Sequence, residues 1–549
     1  MAFSIKKTLP ELLSVKRGDG NIQCLHGIRT VCTVALYVTH KYMAILLIPY
    51  SNRIYLAQIS HQPLSMMLRA FINYVHSFLL LSGVLTAYNT CQEIKKNGYI
   101  DWKRRYLARF IRLTPALMSL VVFYAYIWEH LGNGPMWNKV VKRNADLCKV
   151  SMWRNMLYFQ NFYPFEEMCA THTHQLALDM QLSLVAPLLV YLLFLSQGWG
   201  ILMLATLQVI SVALRYYVSV QNKLSPLLYN GITLSANSKR GSGEKYPHFG
   251  FFGTAAKVFK FIQSLPTSVG DKFHPLYPGE VRLARSQHKA FYIVQVQRLS
   301  QLFRTANMTY DFPSHQVTPY MFGVGLGYLL HKTDRKIYIP KYLVYGGWLS
   351  ATYLIYLSFF SMSEVVSSEY QYDAVKMSLY YALSPVALSL ALCWVILACA
   401  TRNGGRGEQP LLFPHFLWAW FFFILDEQTT YLGSVRFLCK PCGVVEVHVL
   451  DEAIQQGPEG WLKYILCWRG LTIFSKISYS VYLTQFLGFF YNVGTTRTSQ
   501  EFTAFTSVVN LLEFIFVLLI STITTLLFDL PMQEVKNFLM KSRYDVLIF

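Results

Sequence analysis

Residues 30–49 read TVCTVALYVTHKYMAILLIP, an apolar run in which His40 and Lys41 are the basic residues. A helix needs about 20 such residues to cross a bilayer. Comparable apolar stretches follow along the chain at 71–88, 113–130, 176–196, 199–218, 319–331, 343–362, 376–400, 477–493 and 506–528. The sequence therefore predicts an all-α, polytopic membrane protein with about ten transmembrane helices.

The composition agrees with a membrane protein. Of the 549 residues, 53% are hydrophobic and 14% are charged, whereas a soluble globular domain has about 25% charged residues. This argues against a cytosolic protein. The first twenty residues contain no apolar core, so we expect no cleavable signal peptide and expect the first apolar stretch to act as the insertion signal.

Lysine and arginine in the short connections predict the sidedness of the helices. The connections at 92–112 and 331–336 and the C-terminal stretch at 536–543 are basic, whereas 362–375 contains no lysine or arginine. The sequon at Asn307 lies in a predicted outer loop and is a candidate glycosylation site. Both termini are therefore predicted to be cytoplasmic, with the protein in the endoplasmic reticulum or the plasma membrane.

The net charge of +20 follows largely from this topology, because basic residues collect in cytoplasmic loops. We therefore expect membrane lipids as partners and no nucleic acid. A metal site is not expected either, because the CxxC pair of Cys439 and Cys442 has no second pair or histidine at zinc-finger spacing.

Two segments interrupt the pattern of spans. Residues 233–297 are polar and basic at first and resemble an outer-loop insertion, while 406–461 carries an apolar run too short for a span. The sequence thus predicts a cytoplasmic segment at 1–20, a membrane domain at 21–540 with these two insertions, and a cytoplasmic tail at 541–549.

The outer loop at 131–175 contains Cys148 and Cys169. On the oxidising side of a membrane a disulfide between them is favoured, and two free thiols are the alternative.

Ionisable groups inside membrane spans are usually functional. Arg29 and His40 are eleven residues apart, which on a helix places them about 20° apart around the axis and about 16 Å apart along it. We expect Arg29 to bind phosphate near the cytoplasmic surface and His40 to act as a general base. The alternative is an arginine that reaches the interface and a packed histidine.

The stretch CATHTHQLALDMQ leads from the outer loop into the fourth span. Asp179 or Gln181 could orient His172 or His174 or bind a substrate hydroxyl, although an aspartate near a helix start is also simply stabilising. In the third span Arg105, Arg109 and Arg112 recur on one helical face. They predict either a binding site for donor phosphate or a contact with anionic lipid headgroups.

Several motifs resemble the membrane acyltransferase type-three family. CLHGIRTVCTVALYVTH contains Arg29 and His40 at that family's spacing, and the resemblance continues through FLLLSGVLTAY, RRYLARFIRLTP, WRNMLYFQNFYP, HTHQLALDMQ, YDFPSHQVTPYMFGVGLGYLL and KISYSVYLTQF. The loop cysteines and YDFPSH are most similar to the animal branch called nose resistant to fluoxetine.

This resemblance implies transfer of an acyl group from a donor such as acyl-CoA to a hydroxyl on a lipid or small molecule, with no permanently bound cofactor. It implies that His40 is the base, with Asp179 as a further catalytic residue. Donor phosphates would be bound by Arg29 and the three third-span arginines. The supporting residues implied by the motifs are Gln181, Ser82, Tyr479 and Tyr482.

The chain departs from the family pattern at four positions. His76 stands where the family usually has aspartate, His174 where it has tryptophan, Gln316 where it has arginine, and Gln485 where it has histidine. A protein that binds or transports lipids or small hydrophobic molecules without turnover is therefore the alternative function.

Overall fold

The computed structural model describes residues 3–14, 22–228, 301–401, 466, 468–503 and 510–545. In these ranges the chain is helical, and its β pairing is limited to an isolated bridge between Tyr50 and Gln500. The all-α class is therefore confirmed for the described part. The predicted insertions at 233–297 and 406–461 lie outside the described residues.

The α-helices are α1 (Ile5–Leu13), α2 (Cys24–Ile45), α3 (Arg53–Ser60), α4 (Met66–Arg69), α5 (Phe71–Asn97), α6 (Trp102–Tyr126), α7 (Arg143–Met156), α8 (His174–Leu195), α9 (Gln197–Asn222), α10 (Pro313–Lys332), α11 (Lys341–Phe360), α12 (Ala374–Ala400), α13 (Arg469–Thr495), α14 (Leu511–Thr524) and α15 (Leu530–Asp545). Turns of π-helix lie at Asn138–Lys142, Ala306–Tyr310 and Thr525–Asp529, and the last of these joins α14 to α15.

Within the described ranges, seven helices are long and apolar enough to cross a membrane. They are Phe71–Asn97, Trp102–Tyr126, Thr171–Leu195, Gln197–Asn222, Lys341–Val366, Ala374–Ala400 and Leu511–Leu539. The remaining predicted spans overlap α2, α10 and α13, which are 22, 20 and 27 residues long. These helices carry more polar side chains, among them Arg29 and Lys41 in α2. The count of about ten therefore stays a prediction.

Gly98 and Asp101 form the turn between α5 and α6 and fix where α6, with its row of arginines, begins. Gly98 ends α5 with a φ of 76°, a left-handed conformation that glycine adopts without strain. Asp101 then caps α6 by accepting a hydrogen bond from the backbone N–H of Arg104 at 3.0 Å. Because α6 begins at Trp102, Arg105, Arg109 and Arg112 all lie within its first half.

Helices α5 and α10 approach each other closely at glycine. A Cβ atom added to Gly323 would lie 2.2 Å from the carbonyl oxygen of Leu80, and one added to Gly327 would lie 2.4 Å from that of Val84. Small residues four positions apart allow helix backbones to meet in membranes, where close van der Waals contact stabilises the pair. This contact fixes α5, which carries Ser82, against α10.

Two buried polar connections hold helices together inside the bundle. Lys41 of α2 donates to Glu513 of α14 at 2.6 Å, with side chains 2% and 7% exposed, and Asn492 of α13 donates to the same carboxylate at 3.0 Å. Arg215 of α9 is fully buried and donates to the carbonyl oxygen of His315 at 3.0 Å. Such groups are tolerated in an apolar interior because each is paired.

The predicted outer loop at 131–175 folds against the middle of α6 and the C-terminal end of α13. Cys148 of α7 and Cys169 are joined in a disulfide, with Cα atoms 4.5 Å apart. The Trp137 ring packs on Tyr491 with centroids 5.8 Å apart. The Tyr158 hydroxyl lies 3.0 Å from that of Thr114. The loop is therefore an ordered part of the helical core.

Candidate acyl-donor cavity and histidine cluster

A cavity of about 620 Å³ lies between α2, α5, α6, α8, α13 and α15. It brings together eight of the site residues expected from the sequence, although they come from five helices. These are Arg29, Ser82, Arg105, Arg109, Arg112, Asp179, Tyr479 and Tyr482. We call this space the arginine cavity, after Arg29, Arg105, Arg109 and Arg112.

Two of the four arginines are neutralised by carboxylates. Arg109 forms an ion pair with Asp179 and also donates to the Ser82 hydroxyl at 3.1 Å. Arg105 forms an ion pair with Glu93 of α5. Asp179 thus contacts an arginine, and no hydrogen bond or ion pair in the described ranges joins it to a histidine. The ion pair joins α6 to α8. A catalytic role of Asp179 stays a prediction.

The other two arginines have no such partner. Among the described residues, no carboxylate lies within ion-pair distance of Arg29 or Arg112, and both line the cavity. Asp529 and Asp179 influence Arg29 only from a greater distance. Asp529 lines the same cavity and also interacts electrostatically with Arg112 from beyond ion-pair distance. Two guanidinium groups without a carboxylate at ion-pair distance form a site suited to an anion, because a guanidinium binds phosphate through two parallel hydrogen bonds.

The C-terminal helix α15 also contributes to this cavity, which the sequence reasoning did not anticipate. Lys536 lines the cavity, as does Gln533, which donates to Asp529 at 3.1 Å. The basic residues at 536–543 predict a cytoplasmic C-terminus, and the same residues are also consistent with an anion-binding role. An additional cation thus lies on the same cavity wall as Arg112.

His40 lies next to the cavity rather than in its lining. Leu36, one helical turn earlier on the same face of α2, lines the cavity. His40 itself is 7% exposed, packs on Phe486 with ring centroids 4.9 Å apart, and has Gln485 as a hydrogen-bonding neighbour. Its Nδ1 has no partner within the described ranges. One ring nitrogen of His40 is therefore buried without a hydrogen-bond partner among the described residues.

Two further histidines lie near His40, and one acid lies near His174. His172 also packs on Phe486, with ring centroids 4.6 Å apart. Nε2 of His174 lies 3.9 Å from Oδ1 of Asp311. His40, His172 and His174 are close enough to interact electrostatically. We call His40, His172, His174 and Asp311 the histidine cluster. Asp311 was not recognised as a site residue in the sequence, because it is distant in the chain from His174.

The remaining expected residues have structural contacts. Tyr479 donates to the carbonyl oxygen of Leu113 at 2.8 Å, and Tyr482 donates to that of His172. Tyr482 therefore lies between the arginine cavity and the histidine cluster. Gln181 donates to the carbonyl oxygen of Tyr158 at 2.7 Å and ties the outer loop to α8.

The amide of the sequon residue Asn307 is engaged by the protein. Its Oδ1 accepts from the backbone N–H of Phe165 at 2.7 Å, and its Nδ2 donates to Glu166 at 3.2 Å. The Thr309 side chain is fully buried. Glycosylation of Asn307 stays a prediction.

Two of the four departures from the family pattern, His76 and Gln316, are neighbours in space. Nε2 of His76 donates to Oε1 of Gln316 at 2.8 Å, so a neutral hydrogen bond occupies the place where the resemblance puts an aspartate and an arginine. Gln485 neighbours His40, and His174 neighbours Asp311.

The arginines of the arginine cavity and the histidines of the histidine cluster lie in a part of the chain that is similar to known proteins. An acyltransferase domain model matches residues 22–273, a range that contains Arg29, His40, the α6 arginines and Asp179. The chain is 24% identical over 451 residues to nose resistant to fluoxetine protein 6 of Caenorhabditis elegans, covering 76% of this chain and 45% of that protein.

A shorter match is 26% identical over 145 residues to regulator of hypoxia-inducible factor 1 of the same organism, covering 26% of this chain and 27% of that protein. The chain thus spans less than half the length of either relative. No solved structure matches it significantly. An acyltransferase domain is therefore present in this multi-pass membrane chain, which is similar over most of its length to nose resistant to fluoxetine protein 6.

Proposed function

We propose that the protein is an integral-membrane O-acyltransferase that moves an acyl group from acyl-CoA to a hydroxyl. The observation that carries this proposal is the pair of cavity arginines, Arg29 and Arg112, that have no carboxylate partner in the described ranges. In a chain with an acyltransferase domain, these groups are suited to the phosphates of the donor.

The cavity suits both parts of such a donor. Its volume of about 620 Å³ lies within the usual range of ligand pockets, about 300–1,000 Å³. Arg29, Arg112 and Lys536 supply positive charge, while Leu36, Val75, Phe78 and Leu79 supply an apolar wall. The phosphates would bind the cations, and the thioester would extend along the apolar wall toward His40.

In the proposed reaction His40 accepts the proton of the acceptor hydroxyl. The hydroxyl oxygen forms a bond to the thioester carbonyl carbon, and the carbon–sulfur bond then breaks. The proton passes to the departing thiolate, so no net proton is released. Nδ1 of His40, which has no hydrogen-bond partner in the described ranges, supplies the lone pair. This requires that Nε2 carries the ring hydrogen and donates it to Gln485.

We also propose that both termini are cytoplasmic and that the protein resides in the endoplasmic reticulum or the plasma membrane. Arg105 and Lys536, at the start of α6 and within α15, line the same cavity, which supports one common side for the basic segments. A cysteine introduced at 331–336 should be protected from an impermeant reagent in intact cells. Labelling there would contradict this orientation.

A binding or transport protein without turnover is the second candidate. It is favoured by the fact that no carboxylate in the described ranges hydrogen-bonds His40, so the imidazolium lacks the partner that usually stabilises it. The two functions differ in whether coenzyme A is released.

The deciding experiment measures release of coenzyme A from acyl-CoA by the purified protein in lipid nanodiscs. His40→Ala should reduce turnover about a hundredfold, the scale of a lost general base. His61→Ala is the matched control, because His61 is exposed and its ring hydrogen-bonds only locally, to the carbonyl oxygen of Ala57 in the preceding helical turn. Equal turnover in both variants, or binding of acyl-CoA by the wild type with no release, would contradict the enzymatic function.

A further inference from the structure

Two buried side chains of the histidine cluster have polar atoms without partners. Asp311 follows the turn Ala306–Tyr310 and is 1% exposed, and neither carboxyl oxygen has a hydrogen-bond partner in the described part of the chain. Nε2 of His174 also lacks a partner and lies 3.9 Å from Oδ1 of Asp311. This separation exceeds a direct hydrogen bond, which needs about 3 Å. Buried groups of this kind are normally satisfied by water or ligand.

The hydrogen bond at the other nitrogen determines the protonation of His174. Nδ1 lies 2.9 Å from the carbonyl oxygen of Thr171. A carbonyl only accepts hydrogen bonds, so Nδ1 carries the hydrogen. In the neutral ring Nε2 then presents a lone pair toward Asp311.

Asp311 has the complementary character. Its burial, with a smaller contribution from the nearby Glu166, raises the pKa of its carboxyl well above the ordinary value of 3.8. A carboxyl group in this state keeps its proton to higher pH and can donate a hydrogen bond as well as accept one. The pair therefore offers one acceptor and one donor on atoms that lie 3.9 Å apart.

The surroundings select an uncharged ligand. The titratable groups around the pair are His40, His172, Glu166, Tyr310 and Tyr381. No lysine or arginine is within ion-pair distance of the Asp311 carboxyl among the described residues. No group of histidine, cysteine and acidic side chains there could hold a metal ion. An anion would find no counter-charge at this position.

We propose that His174 and Asp311 bind the hydroxyl of a neutral acceptor, which donates to Nε2 of His174 and accepts from the acid O–H of Asp311. The inference rests on the proposed acyl transfer and identifies where its acceptor is held. Gln175, the residue after His174, lines the arginine cavity, as does Leu36 before His40. A hydroxyl at the pair would therefore lie beside the end of the donor site.

The first test uses glycerol as a neutral hydroxyl probe. Infrared spectroscopy of the purified protein should show a carboxylic acid C=O band that is lost in Asp311→Asn and that shifts when glycerol is added. This measurement does not depend on turnover. A band that is absent, or that glycerol does not shift, overturns the proposal even if coenzyme A is released.

The second test measures how the acyl group is divided between glycerol and water. Asp311→Ala should lower transfer to glycerol about tenfold relative to hydrolysis measured in the same variant, which is the scale of one lost hydrogen bond. Asp311→Asn keeps a donor and an acceptor, so transfer should persist. In the wild type, transfer should fall as pH rises through the raised pKa, and this dependence should disappear in Asp311→Asn.

Glu364→Gln is the control, because this outer acid is 48% exposed and pairs with Lys376. If the ratio of acyl transfer to glycerol over hydrolysis is the same in Asp311→Ala as in the wild type, the proposal is contradicted. If the wild type releases no coenzyme A at all, the proposed function fails, and the infrared shift alone then decides whether the hydroxyl site exists.

Discussion

The arginine cavity and the histidine cluster meet at Tyr482 and hold charge in different ways. The cavity contains four guanidinium groups, of which Arg29 and Arg112 are left open, whereas the cluster contains imidazoles and a buried carboxyl without a lysine or arginine partner in the described ranges. Fixed cations suit an anionic ligand, and neutral titratable groups suit proton transfer. In the proposed reaction, binding and chemistry are therefore separated by the type of charge.

The largest expected effect concerns a charge that serves neither region. Lys41 is the neighbour of His40 in sequence, but its ammonium is paired with Glu513. Lys41→Met should lower the free energy of unfolding by about 3–5 kcal/mol, because it leaves a carboxylate unpaired in the bundle. Lys41→Met with Glu513→Leu should recover part of this loss. Unfolding in mixed SDS micelles measures both, and equal stability of the single variant and the wild type would show that the pair is not buried in the membrane.

The next effect separates donor binding from catalysis. Arg29→Ala and Arg112→Ala should each weaken acyl-CoA binding about tenfold or more, because a charge-assisted hydrogen bond to phosphate is worth about 1.5–3 kcal/mol. Calorimetric titration with a non-hydrolysable acyl-CoA analogue measures the affinity of each variant.

The matched control for the cavity arginines is Arg497→Ala, since that arginine bonds Asn133 on the outer loop. His40→Ala should also leave donor affinity unchanged. A loss of affinity in His40→Ala equal to that in Arg29→Ala would remove the distinction between the two regions.

A smaller effect tests the neutral pair at the departures from the family pattern. His76→Ala and Gln316→Ala each leave one side of a 2.8 Å hydrogen bond without its partner. The double variant should therefore lose less stability than the sum of the two single losses, and the difference should be about 1 kcal/mol. Additive losses in a double-mutant cycle would show that the two side chains do not compensate for each other.

The smallest effect is the pH dependence of stability from Asp311. Its pKa is raised in the folded state, so its contribution is fully favourable below the ordinary value of 3.8 and is lost as pH rises toward the raised pKa. Thermal unfolding of Asp311→Asn should therefore depend less on pH across that interval than unfolding of the wild type. Parallel curves for the two proteins would mean that Asp311 is not protonated in the folded state.

Periodicity in the sequence predicted which residues share a helical face. The spacing of Arg105, Arg109 and Arg112 placed them together, and all three line one cavity. It did not predict that Glu93 and Asp179 neutralise two of them. Those partners come from other helices, and helix spacing contains no information about distances between helices.

The loop disulfide was favoured from compartment alone, and the structure joins Cys148 to Cys169. The role of α15 in the cavity was not foreseen, because a basic C-terminal segment has the same composition whether it serves topology or ligand binding. The pairing of His174 with Asp311 was likewise invisible, since the two residues are distant in the chain.

The sequence by itself determined the helical class, the membrane setting and the similarity to an acyltransferase domain, because hydropathy and motif spacing are local properties of the chain. The tertiary structure decided which charges are paired, which remain open to a ligand, and which polar atoms are buried without partners. These outcomes depend on contacts between helices, such as the close approach of Gly323 to Leu80, because electrostatic and hydrogen-bond energies change steeply with distance and burial.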